Sequence, residues 1–498
     1  MSVPYLAKYD FRTKQQYIYR TNKIREIAGA SSYIACSYHR FLERLNKGGM
    51  KVELNYTWNS CAYVNDEDDN KAFNPSFEGT DFVGKVLYVG GGNLIVLWKD
   101  LETAKKANAE FCKMLLDEAP GLSLICGLAE YSGDYAENYK ALQASFENDK
   151  RLHLPMVSEA MLPFSEIDRR TSLPIVFKGV IHGKQMSLSA ESLSKQNNYD
   201  KPCIHPKDES TNDLDAMITQ KGQESLLAII YIDGNGMGDR VRKCMLGENG
   251  EEIKDYPKAV RRIRKFSNSI HHDYVSAPME RIFDYLDDEK HKSDHRNALY
   301  RQVIANGDEV TIICNARIAL DVTREYFAAL KEANAENSSC AGIAIFHSHA
   351  PFATIYSLAE ECCENAKKLN RKNGNGNCLV DFQYCYSGIT GDLENMREQD
   401  KDRINRPYCI CKGDNISDAP CMLLDDFIAC GRKLSAIGRS NVKDLAKALV
   451  YGQAEYLQEY YRIRAHIKDG AAFELDDKEK KMLFDVAQFY DLWFAGEV

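Results

Sequence analysis

The chain repeats itself once, and the repeat limits its possible folds more than any other feature. Residues 83–98, VGKVLYVGGGNLIVLW, run as an apolar strand, a Gly-rich turn and a second apolar strand; residues 299–314, LYRQVIANGDEVTIIC, share the plan. Two short β-rich runs around such a turn predict a hairpin, because the turn needs positive φ. A helical pattern follows each hairpin, with Leu101, Ala104, Phe111 and Leu115 in the first copy and Leu320, Thr323, Phe327 and Leu330 in the second. Each helix leads into a strand ending near a glycine, LSLICGLAEY and SCAGIAIFHS. The turns at 90 and 306 and the glycines at 127 and 342 keep nearly one offset, 216 and 215 positions. Ahead of the second hairpin, Leu226–Ile232 is a continuous apolar run, as in a strand buried on both faces. Its weaker counterpart in the first copy is read as Tyr17–Tyr19, followed by Arg20. The order β–α–β–β–α–β–α is that of ferredoxin-like split βαβ units, so the expected fold class is α+β with two such domains.

The two copies differ in their acids. In the second, Asp233 closes the first strand and Asp308–Glu309 sit in the hairpin turn; the first copy has Arg20, Gly92 and Asn93 at the positions read as equivalent. Strand end and hairpin are neighbours at the centre of this topology, so the acids can converge. Magnesium favours hard oxygen ligands, a few carboxylates plus substrate phosphates, and two such ions stabilise both oxygens of an in-line displacement. Asp233 and Glu309 are the expected bridging carboxylates, with Asp308 as third ligand or orienting group and the Gly234 carbonyl as a further oxygen. The bare backbone from Gly234 through Asn235 and Gly236 to Gly238 suits a triphosphate at a helix start. Asn306 and Gly307 in the turn, with Lys367 and Lys368 beside the apolar face Ile355, Leu358, Cys362, Ala366 and Leu369, complete the expected nucleotide-binding set. Alone, Asp-Gly-Asn-Gly reads as a turn and Asn-Gly-Asp-Glu as a hairpin tip; their joint placement on paired strands favours chemistry.

Composition narrows the class. A chain of 498 residues exceeds one ordinary core. With 44% hydrophobic and 28% charged residues it reads as folded and soluble, without an apolar span, and cytoplasmic by default. The net charge of −9 argues against a surface built wholly for nucleic acid. The basic stretch Lys258, Arg261, Arg262, Arg264 and Lys265 reads as a solvated helix face before an RNA- or triphosphate-facing one. Sixteen cysteines without a CxxC read as small buried hydrophobes rather than zinc ligands. His272-Asp273 lacks partner histidines, which disfavours a metal phosphohydrolase, and SLSKQNNYDKPCIHPKDESTNDLD (192–215) reads as a polar loop or insertion.

The pattern YIDGNGMG…ANGDEVTIIC…AKKLNRKNG, preceded by REIAGASS and YVGGGNLIVL, resembles the large polymerase–cyclase subunit of type III CRISPR effector complexes, and more distantly GGDEF and class III nucleotide cyclases. The resemblance covers roughly residues 10–390. It implies two palm domains, the second active, and condensation of ATP with two Mg²⁺ or Mn²⁺ ions into a 3′–5′ linked cyclic oligonucleotide, an antiviral second messenger. By position it places the hairpin acids on Asp308 and Glu309, the strand-end acid on Asp233 and the phosphate-side lysine on Lys367. Gly29–Ser32 would face the second nucleotide. The expected domains are a degenerate first palm (1–155), a linker or insertion (156–222), a second palm (223–390) and a C-terminal helical domain (391–498). Nucleoside triphosphates are the expected ligands, with protein or RNA partners controlling activity and no membrane. The sequence departs from the family's GGDD at Asn306-Gly307-Asp308-Glu309 and lacks the zinc-binding cysteines common between the palms; it is expected to start in the first palm, without the HD nuclease often found in the family. A stand-alone relative, a catalytically inactive scaffold binding RNA or protein, and a GGDEF-type dinucleotide cyclase stay open as alternatives.

Overall fold

The computed structural model describes residues 3–59, 62–68, 73–152, 165–181, 183–199, 214–217, 225–247, 249–292, 300–372, 374, 376–385, 392–411, 421–466 and 474–495. The chain forms two compact units. One comprises Met1–Asp208, Gly236–Val275 and Val303–Asp308; the other comprises Glu209–Asn235, Ser276–Gln302 and Glu309–Val498.

The first unit is built on an antiparallel sheet of Gly84–Gly90, Asn93–Trp98, Tyr5–Arg12 and Ser123–Glu130, in that order, with the short parallel strand Val52–Glu53 outside. Tyr5–Arg12 forms because YLAKYDFR alternates: Tyr9 and Phe11 point with Phe41 and Phe111 of the helices Ile24–Lys47 and Leu101–Glu118, and the Phe41 and Phe111 rings stack at 4.0 Å. This corrects the expected first strand. Tyr17–Tyr19 lies instead in the short helix Lys14–Tyr19, where all three apolar side chains are buried, so local β-propensity yields to tertiary packing.

The opposite face of that sheet is covered by Tyr135–Arg151 and Tyr256–His271, through Leu87, Leu97, Leu142, Tyr256 and Val260. Tyr256–His271 starts at Asp255, whose carboxylate accepts from the Lys258 amide. Its basic run is not one surface. Arg264 is buried and donates to the Leu87 and Val86 carbonyls at 2.5 and 3.1 Å, and burial pushes its pKa down to about 10. Arg262 bonds the Leu246 carbonyl, which leaves Lys258, Arg261 and Lys265 exposed.

The stretch read as a polar loop is in part a helix, Ala190–Tyr199, packed on Ile24–Lys47. Lys195 is fully buried there, its ammonium donating to the Tyr17 carbonyl at 2.5 Å and to Glu191 at 2.6 Å. A buried charge persists only when paired in this way, and a count of polar letters does not reveal the pairing. Residues 200–213 of the same stretch lie outside the described residues.

The second sheet has the order Tyr300–Asn306, Glu309–Asn315, Leu226–Gly234, Ser339–His347, Cys378–Tyr384 and Tyr408–Cys411. Its first four strands repeat the order of the first sheet, which makes the fold α+β with two ferredoxin-like sheets. Leu227–Ile232 are buried throughout, as a strand covered on both faces requires. The repeated glycine has a physical cause in both copies. A Cβ on Gly342 would lie 1.9 Å from the Ala359 carbonyl of the helix Phe352–Lys372. One on Gly127 would lie 2.7 Å from Phe146 Cβ of Tyr135–Arg151.

The C-terminal segment contributes the helices Leu424–Ser435, Arg439–Tyr451, Gln453–His466 and Asp477–Trp493. The last begins in a capping box of Asp476 and Glu479. It is tied to the sheet by a fully buried pair, Arg406 and Asp485 at 2.8 Å, and by Phe489 and Trp493 against Phe382. Of the described cysteines, Cys314, Cys340, Cys362, Cys363, Cys378, Cys385, Cys409 and Cys430 are buried free thiols.

Candidate functional site

The apolar run Leu226–Ile232 carries Asp233 out to the sheet end, and the antiparallel register sets it directly opposite Glu309, the first residue of its strand. Glu309 Oε1 accepts from the Tyr356 hydroxyl at 3.2 Å. The Tyr356 ring stands edge-on to Tyr231, 5.6 Å away. Burial first, then the charges of Glu309 and Asp233, raise the Tyr231 phenol far above its usual range. Lys367 donates to Asp233 Oδ2 at 2.6 Å and to the Gly234 carbonyl at 2.8 Å. Glu360 is half-buried on the same helix, its carboxyl pushed up by burial and next by Asp233.

One face of Phe352–Lys372 therefore presents Tyr356, Glu360 and Lys367 to the acids. Sequence reasoning named only the lysine. The signal was available, because steps of seven and four residues back from 367 return to the same helix face.

The other expected residues fall into distinct roles. Asn235 is buried, its amide donating to the Asn377 carbonyl at 3.1 Å and its backbone N–H to the Ser338 carbonyl, so its side chain is committed to the fold. Gly236 takes φ +61° and starts the helix Met237–Cys244. Gly307 takes φ +66° in the turn, with Asn306 exposed beside it. Asp308, grouped with the first unit, is half-buried. Lys368 is exposed. Within Ile24–Lys47, Gly29 and Ser32 are buried and Ser31 Oγ donates to the Val303 carbonyl at 2.5 Å.

The first copy is less stripped than its sequence suggests. Lys8 pairs with Ile95 and Gly127 as Tyr231 pairs with Thr311 and Gly342, so the residue equivalent to Asp233 is Asp10, not Arg20. Asp10 carries its own lysine, Lys14, at 2.5 Å. What the first copy lacks is the hairpin pair, replaced by Gly92 and Asn93.

No group of three His, Cys, Asp or Glu side chains able to hold a metal occurs among the described residues. The donors at the strand end nevertheless suit one hard cation. Asp233, the Gly234 carbonyl and Glu309 are all oxygen ligands, and the Lys367 ammonium already lies as a cation on two of them. A divalent ion at these oxygens would displace Lys367 from Asp233.

Residues 226–375 match the profile of the second palm domain of Cas10/Cmr2. This segment is a Cas10/Cmr2-type second palm domain. Among solved structures the chain is similar to the Csm1–Csm4 cassette in complex with cA4 (12% identity over 97% of this chain and 69% of that chain, TM-score 0.46). It is also similar to the apo Csm1–Csm4 cassette (12%, 97% and 69%, TM-score 0.48) and to Csm1 in T. onnurineus (12%, 98% and 70%, TM-score 0.48). No curated protein matches it. No helix among the described residues is long and apolar enough to cross a membrane.

Proposed function

We propose that this chain is a metal-dependent nucleotidyltransferase that condenses ATP, or another nucleoside triphosphate, into a cyclic oligonucleotide signal in antiviral defence. The observation that carries the reading is the pairing of Asp233 with Glu309 at the sheet end of a Cas10/Cmr2-type second palm, with a lysine held on the Asp233 carboxylate and the Gly234 carbonyl. Asp233, Gly234 and Glu309 would hold a first Mg²⁺ or Mn²⁺, and Asp308 in the adjoining turn is the candidate for a second. Bound there, the metal would supply charge neutralisation on the phosphates and activation of the attacking hydroxyl.

The chain's own groups do the rest. Lys367, freed from Asp233, carries a positive charge to a triphosphate oxygen. Tyr356 holds the Glu309 carboxylate in place. The open backbone at Gly234–Gly238 and the Asn306-Gly307 turn let a phosphate chain approach, and exposed Lys368 adds positive charge nearby on the helix. Gly29–Ser32 belongs to the first palm and would contribute to the second nucleotide. Protein or RNA partners would control the activity, in the cytoplasm, with the domain limits 1–155, 156–222, 223–390 and 391–498.

Incubating the chain with each triphosphate and Mg²⁺ or Mn²⁺, then separating the products, tests this reading. A cyclic product lost about 10²-fold or more in Asp233→Asn and Glu309→Gln supports it. A second reading, an inactive double-palm scaffold, is favoured by the lysine that already neutralises Asp233. It predicts that both substitutions leave antiviral protection intact.

A further inference from the structure

The first unit carries an open pocket of about 250 Å³ between its hairpin and the end of the helix Tyr256–His271. It reaches Gly90 and Gly91 of the first hairpin and Asn306–Asp308 of the second. Its walls are mixed, with the rings of Tyr63, Tyr88, Tyr139 and Phe266 set among glycines, aliphatic side chains and a few polar groups. That volume lies below the roughly 300–1,000 Å³ of sites that take a whole drug-sized ligand, so it suits a single planar ring system. The aromatic part of the lining offers a flat π-face something to stack on.

His271 is the exceptional group in that lining. Neither ring nitrogen hydrogen-bonds to another described residue. Burial, and then neighbouring His272, push its pKa down to about 4, so at neutral pH it offers one N–H donor and one nitrogen acceptor. Its position is fixed from both sides. Arg264, seven residues back and two helical turns away, clamps the helix to the Leu87 and Val86 carbonyls. The helix then widens into a π-turn at His272–Ser276, a feature common at functional sites.

We infer that the pocket receives the base of a nucleotide and that His271 is the specificity-determining residue that reads its hydrogen-bonding edge. The inference rests on the nucleotide-polymerising reading above, and names how that site chooses its base. A ring seated in the pocket would stack on one of its aromatic walls, and the His271 nitrogens would meet the base's polar edge. One such hydrogen bond distinguishes bases because the wrong edge leaves the imidazole unpaired.

Binding of the four non-hydrolysable triphosphate analogues to the full chain, by calorimetry, tests it without requiring turnover. The wild type should prefer one base by about 10-fold or more. His271→Phe keeps a ring in the pocket and should level that preference, and His271→Asn should retain part of it. In turnover the His271→Phe loss should fall on KM, with kcat little changed. Equal preferences in wild type and His271→Phe, or no binding of any analogue by the wild type, overturn the inference. A His271-dependent preference without product from any triphosphate leaves it standing and removes the activity instead.

Discussion

Replacing Lys367 by methionine should tighten divalent-metal binding while lowering turnover. The ammonium lies 2.6 Å from Asp233 Oδ2 and 2.8 Å from the Gly234 carbonyl. A cation that uses those oxygens must first break that pair. At an effective dielectric near 20 the gross attraction of two charges about 3 Å apart is roughly 5–6 kcal/mol. Most of it is offset by desolvation and side-chain ordering, since the side chains are 13% and 31% exposed. A net 1–2 kcal/mol, as an order of magnitude, corresponds to an apparent affinity about 5–30-fold tighter in Lys367→Met.

Methionine keeps the unbranched stem and removes only the charge. The substitution leaves Asp233 facing Glu309 and the nearby Glu360 without its cation. The metal-free variant should therefore melt lower than wild type, and Mn²⁺ should restore it. Mn²⁺ titration followed by electron paramagnetic resonance, without nucleotide, measures the affinity, with Asp233→Asn as the control that abolishes the site. Equal or weaker Mn²⁺ binding by Lys367→Met would show that lysine and metal do not compete for these oxygens. A variant with tighter metal binding and full turnover would remove the phosphate role given to Lys367.

Three further outcomes follow. Asp485→Asn removes the charge that pairs fully buried Arg406 and weakens an acceptor of the Asn405 amide and the Tyr408 hydroxyl. Asp381, 3.9 Å from Arg406, compensates in part, so a loss near 3 kcal/mol is expected, seen as a lower melting temperature and earlier proteolysis of the C-terminal helices. Gly342→Ala drives a methyl against the Ala359 carbonyl and should cost about 1–3 kcal/mol by thermal melt; it should also reduce turnover, because the displaced helix carries Lys367. For His271 the folded pKa is lowered to about 4, so between about pH 6.5 and 4 the unfolded chain binds the proton and the folded chain does not. Stability should thus fall as pH drops through that window, by on the order of 1–2 kcal/mol after discounting for solvent that reaches the partly buried ring, and His271→Asn should flatten that part of the profile.

The fold was legible where the chain's pattern is periodic and its cause local. Leu226–Ile232 could be read as a central strand because nothing but burial on both faces suits an unbroken apolar run. The hairpins could be read from Gly91 and Gly307, since each takes a positive φ that other residues resist. The first strand of the first copy was missed because YLAKYDFR is amphipathic and charged, whereas Tyr17–Tyr19 is uniformly apolar. Only the partner strands reveal that the alternating stretch is the one paired in register. Likewise Arg264 cannot be told from its basic neighbours in sequence, because the carbonyls that receive it come from a strand about 180 positions away.

That misplaced strand alters the argument about the acids. On the sequence reading, one copy kept an acidic set and the other lost every member. The registers instead give both copies a strand-end carboxylate with a lysine on it, Asp10 with Lys14 and Asp233 with Lys367. A neutralised acid at that position is therefore a property of the repeated fold and cannot by itself mark catalysis. The difference lies in the hairpin. Beside Asp10 the turn offers Gly92 and Asn93, neither of them anionic, and Lys14 balances the lone carboxylate. Beside Asp233 stands Glu309, with Glu360 behind, and a single ammonium faces more negative charge than it can neutralise. Excess negative charge around one lysine is the condition under which a divalent cation can compete for the oxygens. The claim to chemistry thus rests on Glu309 and its partner Tyr356 more than on Asp233.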